Sequence, residues 1–436
     1  MTELPLFAAA GIVITLAAMF GYINYRFLRL PHTIGLVIIA LLASLGVMAI
    51  DAIIPTLGIG DGVRGFITGI DFHDILMEGM LSFLLFAGAL HVNLDDLMSR
   101  KWAIGSLATA GVLMSTFMVG AVTWGVAGLL GIDLPFIWCL VLGSVIAPTD
   151  PVAVLGILKT VHVPKSLEVK IAGESLFNDG VGVVIFLIMV AIAVGSAGHG
   201  GHGGDIGVLD VVRLFAQEAL GGAALGLVTG WIAYQALRKV DEHNLEVLIT
   251  LALVMACYGI AIALHLSGPI AVVVAGLLIG NHGRRFAMTK TTRDHVTTFW
   301  SLIDEIMNSA LFLLIGFEIL ALTWSGDIAV FALIAIPVAL GARFISVATP
   351  LTLLGLRQTF TKGAVPVLTW GGLRGGISVA LALSLPDVSA KPVILAATYA
   401  VVIFSIVVQG LTVKPVVRLL VGEDDDTDHT TGASGS

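Results

Sequence analysis

The sequence predicts an all-α polytopic membrane protein with about thirteen spans, and three observations lead there. Of its 436 residues 57% are hydrophobic and 12% are charged, with a mean hydropathy of +1.02. One water-soluble core cannot hide so much apolar surface, so the solvent of this chain is a bilayer. Apolar runs of roughly 20 residues recur from end to end, each enough to cross the hydrocarbon layer as a helix. The basic residues, finally, fall into alternate loops.

The runs lie at about 5–25, 33–53, 75–93, 102–130, 135–158, 165–197, 208–237, 244–266, 269–286, 297–323, 327–355, 360–386 and 391–420. After odd-numbered runs come Arg26 and Arg29; Arg100 and Lys101; Lys159, Lys165 and Lys170; Arg238 and Lys239; Arg284, Arg285, Lys290 and Arg293; Arg357 and Lys362; Lys414 and Arg418. After even-numbered runs there are only Arg64, Arg213 and Lys391. Cytoplasmic loops carry the excess of Lys and Arg, which puts the N-terminus outside and the C-terminus in the cytoplasm. The first run does not read as a cleavable signal, because Arg26 and Arg29 follow it instead of preceding it. Cys139 and Cys257 lie in apolar runs and suggest neither a disulfide framework nor a metal site. The net charge of −8 comes largely from loops and an acidic tail, and no basic footprint for nucleic acid is present. Residues 198–205, rich in Gly and His, read as an external linker, and 422–436 as a disordered acidic tail.

Ionisable residues inside such runs are expensive and mark function by default. The stretch Gly173-Glu-Ser-Leu-Phe-Asn-Asp-Gly180 opens a long apolar run. On a helix Glu174 and Asn178 share a face, as do Ser175 and Asp179, and the two faces adjoin. Two carboxylates, a hydroxyl and an amide carbonyl form one oxygen-rich patch, the ligand type that hard cations such as Na+ choose. The bland alternative is a cytoplasmic helix end with solvated caps. Two arginines, Arg343 and Arg374, also fall within apolar runs, where they need carboxylates, carbonyls or water as partners.

Two runs should break. In the fifth, Ala147-Pro148-Thr149-Asp150-Pro151 removes two backbone donors and disfavours helical geometry before each proline. In the twelfth, four glycines surround Arg374 in Trp370-Gly-Gly-Leu-Arg-Gly-Gly-Ile377. The alternatives are a simple kink and a small-residue packing face. The fifth and twelfth runs are seven apart, so six spans, a linker and six more would make them matching positions of two inverted repeats. Interrupted segments at matching places in two halves point to a transporter site. The same shift pairs the sixth run with the thirteenth and the fourth with the eleventh.

Ala147-Pro-Thr-Asp-Pro-Val-Ala-Val154, Gly173–Gly180, Gly371-Gly-Leu-Arg-Gly-Gly376 and Leu311-Phe-Leu-Leu-Ile-Gly-Phe-Glu318 together resemble the signatures of the NhaP/NHE branch of the monovalent cation/proton antiporter superfamily. The resemblance spans about residues 5 to 420. It implies crossed broken helices in an NhaA-like antiporter fold and a homodimer in the bacterial plasma membrane. It implies a dimerisation domain (1–95 and 241–325), a transport core (96–200 and 326–421) and a linker helix (201–240). Asp179 would carry Na+ (or Li+) and H+ in turn. Thr149, Glu174 and Ser175 would complete the cation site, and Asp150 would sit where the broken helices cross. Asn178 matches the Asn of the electroneutral branch, and Arg343 and Arg374 match arginines that balance core charges and helix ends. Glu174 is expected against Arg343, with Arg374 the other candidate. No cofactor and no enzymatic activity is implied.

Three rivals remain at this stage. K+/H+ exchange in the same fold is not separated by ligand type. A cation channel fits poorly with two arginines in the core. An intramembrane hydrolase would need Ser175 as nucleophile, outside any nucleophile-elbow pattern. Asp304 and Glu305, near the inner end of the tenth run, read as cavity-mouth charges, with a solvated helix face as the bland alternative; Glu78 and Glu318, with His91, His265 and His295, read as interfacial or structural.

Overall fold

The structure is a computed structural model that describes residues 6–54, 80–150, 154, 165–197, 208–320, 322, 324–355 and 363–421. Arg64, Glu78, the proline at 151, the 198–205 linker and the 422–436 tail lie outside the described residues. The described residues are helices joined by short turns. In chain order they are α1 (Leu6–Ile23), α2 (His32–Ile53), α3 (Leu81–His91), α4 (Lys101–Leu130), α5 (Phe136–Ile146), α6 (Lys165–Ala197), α7 (Val208–Leu237), α8 (His243–Ala263), α9 (Gly268–Leu278), α10 (Lys290–Glu318), α11 (Gly326–Gly355), α12 (Ala364–Trp370), α13 (Gly376–Leu383) and α14 (Lys391–Leu420).

Among the described residues nine helical stretches are long and apolar enough to cross a membrane, so the chain is an integral membrane protein. The expected third and fifth runs carry the shorter apolar helices α3 and α5. The ninth continues past α9 through a wide turn at Ile279–Gly283. The twelfth is split into α12 and α13. The ends follow local chemistry. Asn93 caps the short helix Leu94–Ser99, accepting from the backbone N–H of Asp95 and Asp96. Ser267 caps α9 with Pro269 in the first turn, and Thr289 caps α10; each side-chain oxygen satisfies a backbone donor that the helix leaves orphaned.

Packing sorts the helices. α4, α5, α6, α11, α13 and α14 share one buried cluster, which includes Trp138, Leu142, Phe186, Phe331 and Leu381. α3, α8, α9 and α10 share another around Trp300, which donates from its indole nitrogen to Thr250 at 2.9 Å. α7 lies along α9 and α8. α1 and α2 pack on α10.

Close approach is bought with glycine at α4 and α5. A Cβ at Gly143 would stand 2.2 Å from the backbone oxygen of Thr116, which cannot swing away. Gly143→Ala should therefore lower thermal stability by about 1–3 kcal/mol, the usual cost of overpacking. Gly125→Ala in α4 has nothing within 4 Å of its new methyl and should be neutral or slightly stabilising, since Ala outranks Gly in a helix. Thermal unfolding of both variants in detergent is the test. Equal melting temperatures would mean the two helices are further apart.

Candidate cation site

The site is built on α6, where Glu174, Ser175, Asn178 and Asp179 are all buried. Their spacing puts them one turn apart on adjoining faces of a helix that runs unbroken beneath them. Gly182, one turn further on, lets the break after α5 press against α6. A Cβ there would fall 2.5 Å from Cγ of Pro148.

At the end of α5 the chain leaves helical geometry after Ala147, where Pro148 has no backbone N–H to continue the helix. The freed Thr149 turns onto α6. Its backbone N–H donates to Oδ1 of Asn178 at 3.3 Å, and its Oγ1 accepts from Nδ2 of Asn178 at 2.8 Å. Its hydroxyl also shares a hydrogen bond with the Ser175 hydroxyl at 3.0 Å. Asn178 thus uses its carbonyl and its amine on one residue, which locks the unwound segment to α6.

The two breaks cross. The N–H of Asp150 donates to the carbonyl of Leu373 at 2.8 Å. From the other side Arg374 Nη1 donates to the carbonyl of Pro148 at 3.2 Å. Unwinding orphans backbone groups at a depth without water, and each needs a partner. Ser405 Oγ accepts from the N–H of Arg374 at 2.9 Å. Gln409 Nε2 donates to the carbonyl of Trp370 at 3.1 Å. Gly375 has no side chain because the Asp150 carboxylate occupies that space; a Cβ would lie 2.1 Å from Oδ2. The anion therefore sits at the N-terminal end of α13, where the helix dipole favours it.

Glu174 and Arg343 form a buried, two-pronged ion pair: Nη1 donates to Oε1, and Nη2 donates to Oε2 at 3.0 Å. Arg343 Nη2 also reaches the carbonyl of Leu368 at 3.1 Å, close to the C-terminal end of α12, where a cation complements the dipole. Gly372 clears the space for its Nε. Between the two arginines expected for Glu174, Arg343 is the one bonded to it.

Asp179 differs from its neighbours. It is 4% exposed, and its buried Oδ1 has no hydrogen-bond partner among the described residues. Asp150 lies near enough to act on it electrostatically. A carboxylate held out of water with an oxygen left over is costly as a bare anion, and a proton or a cation removes that cost. Among the described residues no group of three or more His, Cys, Asp or Glu side chains could hold a metal ion. A cation beside Asp179 would draw on hydroxyl and carbonyl oxygens, which suits a hard monovalent ion.

All eight residues singled out in the sequence — Thr149, Asp150, Glu174, Ser175, Asn178, Asp179, Arg343 and Arg374 — lie at or beside this crossing. Ser405 and Gln409 were not singled out. Their signal is two polar side chains four apart in the apolar run of α14, where Ser405 donates to Gln409 Oε1 at 2.7 Å. Glu318 lies away from the crossing, buried at the end of α10 near Tyr399, whose hydroxyl donates to the carbonyl of Ile315. Asp304 accepts from Asn308 at 3.1 Å on α10, and Glu305 is exposed there.

The profile of a family described as "Sodium/hydrogen exchanger, transmembrane" matches residues 14–419. The chain belongs to that family. It is 47% identical over 413 residues to the Na+/H+ antiporter NhaP of Pseudomonas aeruginosa, covering 93% of this chain and 95% of that one. It is 34% identical over 396 residues to the Na+/H+ antiporter NhaH of Halobacillus dabanensis, covering 91% and 93% of the two chains. Among solved structures, the sodium proton antiporter MjNhaP1 of Methanocaldococcus jannaschii matches with a TM-score of 0.72. At 17% identity, over 96% of this chain and 99% of that one, the likeness establishes the antiporter fold and nothing finer.

Proposed function

We propose that this protein is a secondary active Na+/H+ antiporter in which Na+ (or Li+) and H+ compete for Asp179. The observation that carries it is the buried Asp179 carboxylate with an unbonded oxygen, beside two crossed helix breaks and the Thr149–Ser175–Asn178 cluster. Relatives at 47% and 34% identity named as Na+/H+ antiporters support the substrate. Whichever ion is more abundant on one side displaces the other, and that competition alone couples the two fluxes. Ser175 and Thr149 supply hydroxyl oxygens to the cation. Glu174 stays ionised against Arg343, and Asp150 and Arg374 hold the crossing together.

Thirteen spans account for the nine clear ones together with α3, α5, the α9 segment and the split α12–α13 run. α4–α6 and α11–α14 form the transport core, matched as inverted repeats. α1–α3 and α8–α10 form the dimerisation domain of a homodimer, and α7 links them. The protein sits in a bacterial plasma membrane with its N-terminus outside and its C-terminus in the cytoplasm, as the basic loops favour. One domain moves against the other around a fixed site.

One exchangeable carboxylate implies one H+ per cation and no net charge per cycle, because the amide of Asn178 cannot load a proton. A unit charge moved through 100 mV would change the energy by about 2.3 kcal/mol. Proteoliposomes reporting internal pH should show cation-driven proton movement with Na+ and Li+. Rate and reversal gradient should be the same with and without an imposed potential. A reversal point that shifts with voltage would show that a second charge moves; K+ outpacing Na+ would change the substrate; cation flux without proton counter-movement would make the protein a channel.

A further inference from the structure

Away from the crossing, the turn between α1 and α2 is constructed around a cationic cleft. Asn24 is buried in a wide helical turn, Asn24–Leu28. Its Nδ2 donates to the carbonyl of Leu30 at 2.9 Å, and its Oδ1 accepts from the N–H of Leu30 at 3.2 Å. Gly35 on α2 leaves the room this clamp needs, since a Cβ there would fall 2.3 Å from the Asn24 side chain. The clamp holds Arg29 in the left-handed region at φ 56° and ψ 31°, sparsely populated for a residue with a Cβ. A non-glycine residue kept there is held by its surroundings, and such positions cluster at ligand sites.

The turn borders a cleft of about 590 Å³ lined by Gly21, Asn24, Tyr25, Arg26, Arg29, Leu30 and His32. His32 shares a hydrogen bond with Ser309 on α10 at 2.9 Å, and its ring packs on Gly21, where a Cβ would stand 3.2 Å from Cε1. Among the described residues no Asp or Glu lines the cleft. Among the described residues neither Arg26 nor Arg29 has a carboxylate within 4.0 Å. The guanidinium of Arg26 rests over the ring of Phe27 at 5.6 Å.

We infer that this cleft binds the phosphate of an anionic phospholipid headgroup. Two unpaired guanidiniums offer forked donors that match phosphate oxygens bidentately. The surroundings select a lipid over a free anion. Tyr25 is 81% exposed, Phe27 71% and Tyr22 66%, aromatic side chains at the end of an apolar helix as at a membrane interface. Ile14 and Met19, also exposed, continue the apolar face up α1 as a track for acyl chains. An anionic leaflet surface attracts basic residues placed next to a span, and the cleft adds a defined seat to that general attraction. The ligand would tie the α1–α2 turn to α10 through His32 and Ser309.

The test is the thermal stability of the purified full chain in detergent with added lipid. Cardiolipin or phosphatidylglycerol should raise the melting temperature saturably, while phosphatidylcholine and inorganic phosphate should not. Arg26→Gln/Arg29→Gln should remove the shift, and Arg26→Lys/Arg29→Lys should retain part of it. Arg238→Gln/Lys239→Gln, a basic pair elsewhere, should leave it intact. An equal shift in the glutamine pair, or with phosphatidylcholine, overturns the site. An arginine-dependent shift with inorganic phosphate alone overturns the lipid as its ligand. If the glutamine pair does not fold, the lysine pair and the Arg238/Lys239 pair decide: equal shifts in those two overturn the role of the guanidiniums.

Discussion

Asp179→Asn is expected to reduce cation-driven proton exchange in proteoliposomes to the level of protein-free vesicles. The amide keeps the shape of the carboxylate but can neither take up a proton nor neutralise Na+. Among the described residues no other carboxylate at the crossing is free to substitute. Glu174 has both oxygens on Arg343, and the Asp150 carboxylate is wedged over Gly375 at the start of α13. The loss should not be a folding defect. Among the described residues Oδ1 of Asp179 has no hydrogen bond to forfeit, and exchanging a buried anion for a neutral amide removes a desolvation cost. The variant should therefore melt at the same temperature as the parent or above it, an outcome opposite to that of most core substitutions. Because it also lacks the group on which the cation acts, added Na+ should no longer shift its melting temperature. Robust Na+-driven proton flux from this variant would remove Asp179 from the mechanism. A lowered melting temperature would mean that the carboxylate makes a stabilising contact.

The sequence made the crossing legible because its residues break rules that membrane segments otherwise obey. Pro148 and the glycines around Arg374 interrupt runs that are apolar on both sides, and Glu174, Asp179 and Arg343 place charges where solvation is absent. Such violations can be read one residue at a time. Partner choice could not be read that way. Arg343 and Arg374 are equally buried arginines in sequence terms, yet the first lies against Glu174 while the second reaches the carbonyl of Pro148. That distinction depends on how α11 passes α6 and α12, which no local pattern encodes. Ser405 and Gln409 stayed hidden for a related reason. A hydroxyl and an amide are tolerated in any span, and only the orphaned backbone groups at 370 and 374 give these two a purpose. The apolar run at 269–286 stays helical throughout, but with a wide turn at Ile279–Gly283 that hydropathy does not register.

Breaking the Glu174–Arg343 pair is expected to cost about 3–5 kcal/mol for either single removal, because each leaves an uncompensated buried charge. Glu174→Gln strands the guanidinium; Arg343→Ala strands the carboxylate. The arginine should be the more damaging to lose, since its Nη2 also donates to the Leu368 carbonyl near the end of α12. Its Nε, buried without a hydrogen-bond partner among the described residues, contributes nothing to either interaction. In the double variant the stranded charge is gone, so its loss should fall well short of the sum of the singles. What remains is the uncapped end of α12 and the cavity left by a long side chain. Thermal or denaturant unfolding of the four proteins gives the coupling directly. Arg374→Ala combined with Glu174→Gln is the control pair, and there the losses should add more nearly, because Arg374 holds the break at Pro148 and not the carboxylate. Additive losses for Glu174 and Arg343, with coupling moved to Arg374, would reassign the partner. The transport readout should follow the same order. A Glu174→Gln protein that folds carries an extra positive charge in its moving core, so its exchange should become sensitive to an imposed potential where that of the parent is not.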